Sequence, residues 1–128
     1  MLSERVFIDT VAEWTGEPDD IAEALTEGTL RTLAQRVRGS EAQDLAERIP
    51  PPLRPFLAKN REAAEVFSYE DFVLRVARYS DVDYETAERG MAAVFRALHE
   101  VAGGKEFSDT MAQLPSEFAQ LATQPKAR

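Results

Sequence analysis

"GSEAQDLAERIP" runs from Gly39 to Pro50, and "GKEFSDTMAQLP" from Gly104 to Pro115, 65 positions further on. Each stretch has a glycine, a glutamate two places later, an aspartate three after that, an aliphatic residue and then proline. Laying residues 3–58 over 68–123 without a gap extends the match in both directions. Ser3 meets Ser68, Phe7 meets Phe72, Val11 meets Val76, Ala12 meets Ala77 and Leu33 meets Leu98. Trp14 meets Tyr79, Ala22 meets Ala87 and Glu23 meets Glu88. The matched positions are mostly apolar, glycine, proline or helix-cap types, which specify a fold rather than a chemistry. Two copies of a long unit predict a pseudo-symmetric pair, not a solenoid of many short repeats.

The pattern inside each copy is helical. Serine at 3 and 68 is a favoured N-cap. Leu2 with Phe7, and Phe67 with Phe72, have the spacing of a hydrophobic staple. Phe7, Val11 and Trp14, and likewise Phe72, Val76 and Tyr79, form i, i+4, i+7 stripes. A second helix opens on acids in "EPDD" and "DVDYE", which suits the positive end of the helix dipole. Its stripe is Ile21, Leu25, Leu30, Leu33 and Val37 in one copy, weak around Gly28, and Ala87, Met91, Val94, Phe95, Leu98 and Ala102 in the other. Gly39 and Gly103–Gly104 are expected to stop it. Ser40 with Gln43 reads as a capping box for a third helix, which Pro50 and Pro115 should end. A short fourth helix follows, with Leu53, Phe56 and Leu57 inward, or Phe118 and Leu121. Residues 59–67 join the copies and would extend that fourth helix.

The expectation is therefore an all-α fold of two pseudo-symmetric repeats of about four helices each, packed as one domain over 1–128. Repeat one spans 2–58, the linker 59–66, repeat two 67–123 and a tail 124–128. The second helices are expected to cross near Gly28 and Ala93, where small residues let two backbones approach.

"RGSEAQDLAERIPPPLRPFL" (38–57) and "GGKEFSDTMAQLPSEF" (103–118), each preceded by F-x-x-x-V-A-x-[WY], resemble the bacterial family known as domain of unknown function 2267. Its members look like tandem copies of a small helical unit with a G-x-E-x-x-D-x-x-x-x-[LI]-P signature. The resemblance covers residues 2 to about 123. "IPPPLRP" in the first copy departs from "LPSEFAQ" in the second. The resemblance implies an all-α fold in bacteria and no particular activity.

Composition bounds the function. The chain has 128 residues, 44% hydrophobic and 30% charged, a globular balance. There is no cysteine, which excludes disulfides and thiol catalysis and fits the cytoplasm. No apolar run approaches a membrane span, and the first residues lack the apolar core of a signal peptide. The net charge of -8 opposes binding to nucleic acid or anionic lipid. The basic patch of Arg31, Gln35, Arg36 and Arg38 is what a helix C-terminus attracts.

The residues give no catalytic, cofactor or metal constellation. His99 is the lone histidine and reads as a surface residue. Glu41 with Asp44, and Glu106 with Asp109, are i, i+3 pairs that read first as helix-start charges on a solvated face; the alternative is that they meet across the repeats as a partner contact or a hard-cation site. Trp14 and Tyr79 would line a shared pocket or the core. Hence the expected function is a non-enzymatic interaction or regulatory protein with an unidentified protein partner, without nucleic acid or membrane, and able to form a homo-oligomer. The alternative is a small-molecule or cation-binding module using the seam between the repeats.

Overall fold

The computed structural model describes residues 3–59 and 61–123. Leu2 of the expected staple, Asn60 in the linker and the tail 124–128 lie outside the described residues. Helix α1 (Glu4–Thr15) begins at an extended Ser3, whose hydroxyl accepts the Val6 N–H at 3.2 Å. Helix α5 (Tyr69–Ser80) begins in the same way at Ser68, which accepts the Asp71 N–H at 3.1 Å. Each hydroxyl satisfies one of the amide donors that a helix start leaves without a partner. Both helices end on a left-handed residue, Gly16 at φ 75° and Asp81 at φ 57°. The Phe67 ring meets Phe72 at 6.2 Å, so the second staple forms.

Helices α2 (Asp19–Arg36) and α6 (Tyr84–Ala102) are the long elements. Acids stand in both first turns, and Asp83 caps α6 by accepting the Thr86 N–H at 2.8 Å. Helices α3 (Gly39–Ala46) and α7 (Gly104–Met111) carry the repeated phrase. A 3-10 turn at Pro51–Leu53 leads into α4 (Arg54–Leu57), and a 3-10 segment, Ser116–Thr123, is the last described element. Among the described residues there is no strand.

One contiguous core holds these elements together. Phe7, Leu25, Leu30, Leu33, Phe72, Met91 and Phe118 are fully buried, so both halves contribute. Phe72 sits edge-on to Phe118 at 5.0 Å and to Phe95 at 6.1 Å. Such ring pairs add about 0.5–1.5 kcal/mol beyond the area they bury. Each half's first helix packs on its own second helix and on the other's: α1 lies on α2 and α6, and α5 on α6 and α2. Helix α2 also touches α6, and α3 touches α7.

Several local expectations are corrected. The tight crossing at Gly28 is between α2 and α5, not α2 and α6. A Cβ there would lie 2.8 Å from Ser80 Oγ and 3.0 Å from Tyr79 Cβ, and Ser80 donates to the Ala24 carbonyl at 3.1 Å. The close approach of α2 to α6 is at Gly90, where a Cβ would meet Leu25 Cδ2 at 2.5 Å. Helix α2 stops at Arg36, before Gly39. Gly39 instead admits the linker, since a Cβ would fall 2.5 Å from the Arg61 carbonyl oxygen. The expected capping box is replaced by Glu62, which accepts from both Ser40 N and Ser40 Oγ, at 2.8 and 3.0 Å. Helices α3 and α7 end at Ala46 and Met111, so Pro50 and Pro115 stand past a further turn and lead into the 3-10 segments. Residues 61–66 are not helical. They run along α2 and α3 through Gly39 N–H to the Glu62 carbonyl and Glu65 N–H to the Gln35 carbonyl.

Candidate functional site

The repeated phrase brings one pair of its acids together. Glu41 in α3 is only 8% exposed. Its Oε2 accepts the Thr110 hydroxyl at 2.9 Å and its Oε1 accepts Gln113 Nε2 at 3.3 Å. Its carboxyl also hydrogen-bonds the Glu106 carboxylate of α7. Burial first, and the Glu106 carboxylate second, push the Glu41 pKa up to about 7. Asp44 and Asp109 are exposed, and Asp109 pairs with Lys105 at 3.1 Å. Of the four acids, two meet and two stay at the surface. Among the described residues, no group of three or more His, Cys, Asp or Glu is placed to hold a metal ion.

Trp14 and Tyr79 do not share a pocket. Trp14 is half-buried beneath the Arg96 guanidinium, 4.1 Å from its ring. Tyr79 is 48% exposed and not a core residue. It stands at the edge of a cavity of about 350 Å³, whose walls come from α2, α4, the linker and α5. Arg31, Gln35, Phe56, Lys59, Arg61 and Glu65 also line it. Gln35 organises one wall: its Nε2 donates to the Tyr79 hydroxyl at 2.7 Å, and its Oε1 accepts Arg75 at 2.8 Å. Arg75 in turn lies 3.7 Å over the Phe67 ring and 3.3 Å from Glu65. Lys59 donates to the Val37 carbonyl at 2.5 Å, at the C-terminal end of α2, where the dipole favours a cation. Burial lowers its pKa. The Arg31 guanidinium stands 5.0 Å from the Phe56 ring centroid.

The sequence grouped Arg31 and Gln35 with Arg36 and Arg38 as a basic patch. Of these, Arg31 and Gln35 line the cavity, while Arg36 binds the Phe67 and Gln113 carbonyls at 3.0 and 2.9 Å. Lys59, Arg61 and Phe56 were missed as site residues. The signal for them was the basic composition of "KNR" beside an aromatic, without periodicity to aim it.

A smaller hollow of about 100 Å³ lies on α6, lined by Phe95, Arg96, His99, Glu100, Phe107 and Leu121 among others. His99 is exposed and stacks on Phe107 at 4.5 Å. The two hollows correspond at a constant spacing of 65 positions. Arg96, His99, Glu100 and Leu121 stand where the larger cavity has Arg31, Ala34, Gln35 and Phe56.

Together these features define an all-helical, single-core domain with one polar cavity beside its linker. The chain belongs to the family described as uncharacterized conserved protein DUF2267, whose model matches residues 4–121. Among curated proteins nothing matches the chain. Among the described residues, no helix is long and apolar enough to cross a membrane.

Proposed function

We propose that the protein is a non-enzymatic regulatory module built from two pseudo-symmetric copies of one helical unit, and that it responds to a small molecule held in the cavity between α2, α4, the linker and α5. The cavity carries this reading: its volume is that of a small-ligand site, and its walls come from both halves and the segment between them. An occupant there would bridge the halves and fix the linker. The pseudo-symmetry is supported by helix bounds that recur at the same spacing: α1 and α5 span corresponding residues, and so do α3 and α7. It is also supported by two self-contacts. Leu25 packs at Gly90, and Glu41 bonds Glu106, each pair being one position in the two copies. Equivalent positions touch each other only near a twofold axis. The cysteine-free, acidic sequence suits the cytoplasm of a bacterium.

A panel of cytoplasmic metabolites tested by thermal shift on the full chain checks this reading. A ligand at about 100 times its Kd stabilises the folded state by about 2.7 kcal/mol, which raises the melting midpoint measurably. At least one chemical class should do so, and a substitution at Tyr79 or Gln35 should weaken it. A panel with no such class would count against the cavity as the site of response.

A further inference from the structure

We infer that the larger cavity takes a small organic oxyanion, its charged head against Arg31, Lys59 and Arg61 and a short apolar body against Pro55 and Phe56. This rests on the cavity being a ligand site and adds the chemistry it selects. The side chains that line it are richer in donors and cations than in acceptors, and the acceptors are engaged by the protein itself. Gln35 Oε1 accepts Arg75, and the Gln35 carbonyl accepts the Glu65 N–H. The single lining carboxylate, Glu65, faces Arg75. Glu62, on the adjoining linker, accepts both bonds from Ser40.

The donors are different. The Tyr79 hydroxyl accepts from Gln35, which leaves its own hydrogen to donate. Arg31 and Arg61 are exposed, and a guanidinium carries five N–H donors and no acceptor. Lys59 adds a third positive charge, fixed by the Val37 carbonyl. A wall of donors and cations in a chain of net charge -8 is an anion's complement, and carboxylate or phosphate oxygens match a guanidinium fork. The hollow on α6 is the internal contrast. Glu100 stands there where Gln35 stands here, and Phe107, Phe118 and Leu121 line a smaller, more apolar space.

The test is titration calorimetry on the full chain with four probes of one shape: benzoate, phenyl phosphate, benzamide and benzylamine. Benzoate and phenyl phosphate should bind at least about tenfold more tightly than the neutral and cationic probes. Which of the two anions is preferred decides between carboxylate and phosphate ligands. Arg61→Gln and Arg31→Gln should each weaken benzoate about tenfold, and Arg61→Gln should do so while leaving benzamide and the melting midpoint of the free protein unchanged. The His99 ring, in the other hollow, should show no NMR shift on titration. Benzamide binding as tightly as benzoate would overturn the anion assignment and leave the cavity a ligand site. Benzoate binding that both substitutions leave intact would place the anion elsewhere and overturn both. No binding of any probe at millimolar concentration would overturn the anion assignment, with the metabolite panel then judging the cavity separately.

Discussion

Glu41 keeps a proton that an ordinary glutamate releases near pH 4.5, because it is buried beside Glu106 and holds on to it up to about pH 7. Between those values the folded chain binds more protons than the unfolded one. Stability owed to this group is therefore greatest at low pH, falls as pH rises from about 4.5 to 7, and is level above that. Glutamine mimics the protonated form: its oxygen can accept from Thr110 and its amide can donate to Glu106. Glu41→Gln should match the wild type near pH 4 and exceed it by roughly 1–3 kcal/mol at pH 8. Urea unfolding of both proteins across that range measures the difference, and parallel curves would refute the raised Glu41 pKa. The sequence showed that these acids recur. It could not separate Glu41 from Asp44. Asp44 and Asp109 point to solvent, and the inward place beside Glu41 is taken by Thr110, one residue past Asp109.

At the scale of elements, the helices were legible because their signals are local. Ser3, Ser68 and the apolar stripes act within a few residues of themselves. Helix α2 was read less well. Thr26, Thr29 and Thr32 are buried, although a periodic reading puts polar residues outside. Thr26 and Thr32 satisfy their hydroxyls on the Ala22 and Gly28 carbonyls, each at 2.8 Å, so burial costs little. The apparent weakness of the stripe at Gly28 is where α5 arrives. Gly28→Leu should overpack that crossing and lower stability by about 1–3 kcal/mol or more. A lower urea midpoint at unchanged slope is the expected result. An unchanged or higher midpoint would mean that α5 does not press on Gly28. Glu62 shows the limit of local reasoning. It caps α3 from 22 residues away, in a segment whose composition suggested a helix.

For the whole molecule, the sequence match at a spacing of 65 listed the helices but not which helix pairs with which. Neither half of the chain encloses its own core. Helix α1 lies on α6 and α5 on α2, while Arg36 and Arg48 reach across to the Gln113 and Ala102 carbonyls. The cavity belongs to the same long-range level, since its cations come from α2 and from a linker that folds back along it. No pattern within one segment could aim them. This interlocking predicts a single cooperative unfolding transition. A unit of about 60 residues is marginal alone, and here each would also expose the face its counterpart covers. Separate expression of residues 1–62 and 66–128, followed by circular dichroism melts and sedimentation, tests the interlocking directly. Neither half should be a folded monomer, and mixing them should restore helix content and one sharp transition. A half that is monomeric, helical and sharply melting by itself would contradict it.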